Sequence, residues 1–295
     1  MIVVTGATGN IGRPLVAELA RLGQDVTAVS RAGTAPLEDP RVRGIGADLA
    51  DPDSLRAAVD GASDMFLLVP GSGGQLDGER IIGVAADAGV RRLVLVSSLG
   101  AGTRPESASH GPFGELEKLV RGSGLAWTVL RPGDFASNAL AWAPSIRAER
   151  TVYAPFGDVA LPSVDPLDLA AVAAAVLTED GHDDRTYELT GPAPVSPRDK
   201  TEALAAALGT PLTFVELTRE QARTGMLDVM PEPIVDGTLA ILGDPTPQER
   251  AVSPDVQTVL GRPGHTFADW ARRHTPAFGA RAKPGLGAAT GIGIR

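Results

Sequence analysis

The chain has 295 residues, 43 % of them hydrophobic and 21 % charged, and a formal net charge of −9. That is the balance of a globular protein large enough for one α/β domain with an added lobe, or for two domains. The absence of cysteine excludes disulfides, thiolate metal sites and cysteine nucleophiles, and the acidic balance argues against a nucleic-acid partner, whose phosphates need clustered Lys and Arg.

Met1 leads straight into the apolar run Ile2-Val3-Val4, which predicts a first strand rather than a leader, so a cytoplasmic location is expected. No apolar run reaches the roughly 18 residues of a membrane span, and no membrane association is expected. The stretch from Thr5 to Gly12 follows, and then a helix with apolar positions Ile11, Leu15, Val16, Leu19 and Leu22. Pro14 falls in its first turn, where a missing N–H costs nothing, and Gly23 stands just past its end. Residues 26–29 and 42–47 predict the second and third strands, and 54–59 a helix. The fourth strand, 65–69, is apolar throughout, as a strand buried on both faces requires. Helix 78–88, strand 93–96, helix 113–121 and strand 127–130 continue the alternation, with 100–112 read as a loop. Strand and helix at this rhythm predict an α/β fold built on a doubly wound parallel sheet.

Beyond Arg131-Pro132 the rhythm breaks. Residues 133–164 are rich in Ala, Pro and Gly and show few elements. Helix 167–177 with Asp165 ahead of it, strand 186–189, helix 197–208 and strand 212–217 follow, and 219–278 is mostly helical between prolines. The expected organisation is a nucleotide-binding core over 1–132, a smaller, mainly helical substrate lobe over 133–279 interleaved with the last sheet strands, and a flexible tail over 280–295.

The chemistry sits first at Gly6-x-x-Gly9-x-x-Gly12, between a strand and a helix. A dinucleotide fingerprint needs this placement: Gly6 for the tight turn, Gly9 for backbone approach to a pyrophosphate, Gly12 for close helix–strand packing, and the helix N-terminus for the phosphate charge. This makes the sheet Rossmann-type. At the end of the second strand an acidic residue would select NAD, whereas this chain has Ser30-Arg31. The guanidinium suits a 2′-phosphate, so NADP(H) is expected ahead of NAD(H). Asp48, followed by Leu49, is placed to accept from the adenine amino group or to turn the chain. The four histidines (His110, His182, His265, His274) lack the i, i+4 spacing of a helical metal pair, and no metal is expected.

Thr5-Gly6-Ala7-Thr8-Gly9-Asn10-Ile11-Gly12, Val96-Ser97-Ser98 and the run from Gly124 to Pro132 together resemble an atypical short-chain dehydrogenase/reductase, most closely the NmrA-like group. The resemblance runs from residue 1 to about 278 and takes in Asn138, the helix after Asp165 and Tyr187-Glu188-Leu189-Thr190-Gly191. That group holds NAD(P)H-dependent quinone and azo-dye reductases and a redox-sensing regulator. The resemblance implies that Gly6, Thr8, Gly9, Asn10 and Ile11 contact the pyrophosphate, and that Arg31 and Asp48 hold the adenosine end. Leu68, Val69, Pro70, Ser97 and Ser98 would line the nicotinamide pocket, with Pro132 and Phe135 beyond. Phe113, Asp134 and Asn138 are further pocket candidates, Asp134 being equally readable as a turn former.

One departure is chemical. Counting back from Glu117, the positions of the Tyr-x-x-x-Lys pair typical of the superfamily hold Ser109 and Phe113. Reducing a plain ketone yields an alkoxide of pKa roughly 16 and needs a positioned acid, whereas a quinone yields a phenolate-like product of pKa about 10 that water can protonate. Hydride transfer to a small electron-poor acceptor (quinone, azo or imine-like dye, enone) is therefore expected, with His110, in the loop before Pro112, the remaining candidate proton donor. A non-catalytic NADP(H) sensor and a tailoring reductase of specialised metabolism are the alternatives. The partner expected is a small molecule, the assembly a monomer or homodimer.

Overall fold

A computed structural model describes residues 1–71 and 74–279; the tail expected from residue 280 lies outside them. Nine strands are described. Seven form one parallel sheet: β1 (Ile2–Val4), β2 (Val26–Ser30), β3 (Val42–Gly46), β4 (Asp64–Leu68), β5 (Arg92–Val96), β6 (Ala126–Pro132) and β8 (Arg185–Leu189), in the order β3-β2-β1-β4-β5-β6-β8. The order reverses between β1 and β4, so the crevice outside their carboxyl ends is the position where an open α/β sheet binds its ligand. β7 (Thr151–Pro155) and β9 (Thr213–Leu217) pair in parallel with each other, apart from this sheet.

The apolar strands feed two faces by strict alternation. Ile2, Val4, Phe66, Val94 and Val96 enter one core with helices Gly12–Arg21 and Pro166–Thr178. Val3, Met65, Leu67, Leu93 and Leu95 enter the other with helices Gly78–Asp87 and Gly111–Gly122. Each fully buried Val, Leu or Ile contributes about 1.5–3 kcal/mol relative to exposure, which is why β1 and the Met65–Leu67 stretch of β4 are apolar throughout. In helix Gly12–Arg21 the buried positions are Leu15, Val16, Leu19 and Ala20, while Leu22 caps the helix and is exposed, with Gly23 at φ +80° just past it. Asp165 caps helix Pro166–Thr178 by accepting from the Leu167 N–H. Asp168, in the first turn of that helix, is fully buried; it accepts from the His265 backbone N–H at 2.5 Å and pairs with Arg262 at 2.9 Å.

The segment 133–164, expected to be largely irregular, is not. It holds a 3-10 helix over Ala136–Trp142, helix Ala143–Glu149 and β7. Their small residues, Ala136, Ala139 and Ala143, are the ones that pack, with Ile146, Val152, Leu204 and Trp270, into a third core. The stretch 100–112 also departs from a plain loop: Ser98 caps a short helix Leu99–Thr103, and Gly111 already begins the next. Among the described residues no helix is long and apolar enough to cross a membrane.

Candidate active site

The glycine loop is built from main chain. Where β1 ends, the Thr5 hydroxyl accepts from the Leu68 N–H (2.8 Å) and donates to the Leu68 carbonyl (3.0 Å), stitching the carboxyl ends of β1 and β4. Gly6 turns at φ +63°, and a Cβ there would stand 3.0 Å from Leu68 Cδ2. A Cβ on Gly12 would come within 2.7 Å of Ala7 Cα and overlap the Gly6 carbonyl, so only glycine lets the helix start this close to the loop. The N-cap residue Ile11 offers no side-chain acceptor. In the first turn Pro14 has no N–H and the Arg13 N–H already donates to the Gly9 carbonyl at 3.1 Å, so the donors left for a pyrophosphate at the positive end of the helix are the main-chain N–H groups ahead of Arg13.

Gly6, Thr8, Gly9 and Asn10 are exposed on this loop, and Asn10 donates at 3.0 Å to Ser137 of the 3-10 helix Ala136–Trp142. Beyond β2, Arg31 is exposed, and the adjacent Ser30 hydroxyl is buried with no hydrogen-bond partner among the described residues. A buried hydroxyl beside an exposed guanidinium suits a ribose phosphate, so these residues fit a dinucleotide. Asp48 is exposed and accepts from the Ala50 N–H. Leu49 and Val69 put their side chains into the core, so only their backbone can border a ligand; Leu68 is half-buried and Pro70 exposed.

A cavity of about 820 Å³ opens at the carboxyl ends of β5 and β6. Of the expected residues it gathers Ser98, His110, Pro132, Asp134 and Asn138. It does not gather Phe113 or Phe135. Phe113 falls in register (i, i+3, i+7) with the buried Leu116 and Val120 of helix Gly111–Gly122 and packs against that core, and Phe135 packs against the opposite one. Ser97 is buried and its hydroxyl is spent, donating to Glu117 Oε1 at 2.6 Å. Ser98 accepts from the Gly100 N–H as a helix cap.

Three buried carboxylates set the electrostatics here: Asp134 and Glu249 line the cavity and Glu117 does not. Burial pushes the Glu249 carboxyl up, but the Arg104 guanidinium at 2.8 Å and the Thr103 hydroxyl hold it below the usual carboxylate range. Burial pushes the Glu117 carboxyl up, but hydrogen bonds from Arg131 (2.7 and 2.8 Å) and Ser97, with Arg121 beside them, hold it below the usual carboxylate range. Asp134 is likewise raised by burial and more than lowered by the Lys200 ammonium at 2.7 Å, with Ser163 and Asn138 also donating to it. Asp134 is thus a buried pocket carboxylate. Lys200 also lies 5.6 Å over the Phe267 ring.

His110 is positioned by small neighbours. The Ser109 hydroxyl lies 2.8 Å from its Nδ1, and a Cβ on Gly100 would come within 2.5 Å of the ring. Helix Glu232–Gly243 approaches through Gly237, where a Cβ would meet the Ser109 Cβ at 2.8 Å. Burial drives the His110 pKa down; the Glu249 carboxylate opposes this and Arg104 adds to it. The imidazole is therefore neutral at pH 7.

Lys200, Gly100 and Gly237 escaped the sequence reading. Lys200 left one trace: with the Ser196–Asp199 capping box fixing the helix start, it lies four residues before Leu204 on the inward face. Nothing in the sequence ties it to Asp134, which is 66 residues away.

A family model described as NAD(P)H-binding matches residues 6–180. The chain is 38 % identical, over 94 % of its length and 99 % of the relative's, to a (4-alkanoyl-5-oxo-2,5-dihydrofuran-3-yl)methyl phosphate reductase of Streptomyces griseus. It is 35 % identical, over 95 % of its length and 100 % of the relative's, to an NAD(P)H azoreductase of Xenophilus azovorans. An NADPH-dependent quinone oxidoreductase of Escherichia coli, solved with NADPH, superposes with a TM-score of 0.77 at 26 % identity, over 92 % of this chain and 99 % of that one.

Proposed function

Because the chain belongs to the NAD(P)H-binding family, we propose that it is an NADPH-dependent reductase that transfers a hydride to a small, electron-poor, conjugated acceptor. The observation that carries this reading is the composition of the cavity at the ends of β5 and β6. It is walled largely by apolar residues, has one neutral histidine, and its carboxylates are already paired, Asp134 with Lys200 and Glu249 with Arg104; Ser109 and Phe113, at the positions where a Tyr-Lys acid pair would stand, put no such acid into it. Such a site is dry and positions an acceptor, but offers no strong acid.

Bound NADPH supplies the hydride, and one proton from solvent or a side chain completes reduction of the acceptor. The chain's own residues divide the remaining work. Gly6, Gly9, Asn10 and the first turn of helix Gly12–Arg21 hold the pyrophosphate, and Arg31 with Ser30 holds the 2′-phosphate, which gives the preference for NADP(H). Ser98, Pro132 and Asn138 border the acceptor. With the Ser109 hydroxyl donating to Nδ1, His110 carries its proton on Nε2, available to hydrogen-bond an acceptor oxygen or nitrogen. The three relatives are named for a conjugated furanone, an azo group and a quinone, acceptors that share a low-lying π system and need little acid assistance.

The test is an acceptor panel followed through NADPH absorbance. Quinones, azo dyes and conjugated enones are expected to consume NADPH, and unactivated ketones to be left untouched. Reduction of a plain ketone at a comparable rate would overturn the reading. Binding of NADPH and NADP with no turnover of any acceptor would make the chain a sensor.

A further inference from the structure

The cavity is larger than its polar end requires. Beyond His110 and the Asp134–Lys200 pair it continues as an arm between β7/β9 and helices Arg219–Leu227 and Glu232–Gly243. Its wall there is largely apolar, with Leu217, Met226, Met230 and Leu242. Three polar side chains also line it, but Tyr153 already donates to Glu149 and the Gln221 side-chain carbonyl already accepts from the Thr218 N–H, which leaves the Thr238 hydroxyl. A polar group entering the arm would exchange its hydration for few side-chain partners. The two methionines are unbranched and adapt to a flexible occupant more readily than to a rigid ring. The arm is held open by local chemistry: a Cβ on Gly225, which borders it, would meet nothing within 4 Å. Phe156, at φ +55° and with its ring against Gly243, lines the cavity and adds to the apolar cluster of Leu217, Met226 and Met230. Val229, at the rim, is 78 % exposed, a bare apolar residue where the arm meets solvent.

We infer that the acceptor of this site carries an unbranched apolar tail, an alkyl or acyl chain attached to its electron-poor head, and that the tail lies in this arm. The inference rests on the proposed reductase reading for the head and on the arm alone for the tail. Each methylene buried is worth up to about a fourfold gain in affinity, so the arm selects by chain length while the polar end selects by electronic character.

The experiment uses the full chain with 2-alkyl-1,4-benzoquinones from methyl to decyl, measuring kcat/KM with NADPH and, separately, calorimetric affinity without it. In the unmodified protein both quantities are expected to rise with chain length, by up to about fourfold per methylene, and to level off once the chain reaches the rim. Gly225→Phe, which projects into open space, is expected to cut the decyl-to-methyl ratio at least tenfold, with Gly225→Ser leaving it nearly intact and a melting curve confirming the fold. Val229→Glu, at an exposed position, is expected to penalise only the longest homologues. A ratio that is flat in the unmodified protein, or unmoved by Gly225→Phe, overturns the tail assignment even if methylbenzoquinone is turned over. Affinity that rises with chain length and collapses in Gly225→Phe, in the absence of turnover, keeps the tail site and sinks the reductase reading instead.

Discussion

The two ends of the site are made of different material. The glycine loop is main chain within seven consecutive residues, and its properties come from atoms that are missing: no Cβ at Gly6 or Gly12, no side-chain cap at Ile11. The cavity is side chain, drawn from segments as far apart as Ser98, Lys200 and Leu242. A loop made by excluding atoms tolerates almost no substitution and carries a function shared by many proteins. A pocket made by converging side chains can be retuned one residue at a time, and its specificity belongs to the individual chain.

The largest expected effect breaks the loop. Gly12→Val places carbon atoms where the Gly6 carbonyl stands, so NADPH binding should fall by three orders of magnitude or more in calorimetric titration, with a lowered melting temperature. If the loop is only a tight turn, affinity will survive in whatever fraction stays folded.

The next effect tests the wall between the two ends. Glu117 is buried under two arginines and Ser97, and Glu117→Ala leaves Arg131 without its partner, an expected loss of about 3–5 kcal/mol in urea unfolding. The same residue gives a pH signature. Its folded-state pKa lies below the ordinary value of 4.5, so its contribution is fully present above that value and is lost as pH falls through the folded-state pKa. Stability of the unmodified protein should drop on acidification below about pH 4.5, and Glu117→Gln should flatten that limb. An unchanged acid limb would remove Glu117 from the account.

Arg31→Ala sharpens the comparison from the cofactor side. A charge-assisted bond to phosphate is worth about 1.5–3 kcal/mol, so NADPH affinity should fall roughly ten- to hundredfold while NADH affinity hardly moves. Equal losses for both would make Arg31 a structural residue.

The smallest effect is expected at His110, where the cavity is tunable. His110→Ala should slow quinone reduction only a few-fold and slow the most basic acceptors most. A uniform loss across acceptors would assign the imidazole to packing between Gly100 and Ser109.

The same contrast explains what the sequence made legible. Strand alternation is a local pattern, and the parallel sheet follows it; the glycine spacing and Arg31 are equally local, one falling between β1 and helix Gly12–Arg21 and the other just after β2. Phe113 was misread because a motif position was counted without the helical register that carries it to the core with Leu116 and Val120. Residues 133–164 looked irregular because their packing uses alanines (Ala136, Ala139, Ala143) rather than a large-apolar period. The Asp134–Lys200 pair and the fit of Gly237 against Ser109 are long-range facts with no local periodic signature.

In the proposed reductase the loop delivers a reductant that the cavity's occupant consumes. The most direct measurement is NADPH loss in the presence of a simple 1,4-quinone, run side by side for the unmodified protein and Gly12→Val. Protein-dependent consumption is expected in the first and only the protein-free background rate in the second. Consumption at equal rates by both, or NADPH held by the unmodified protein without being consumed, would contradict the reductase reading.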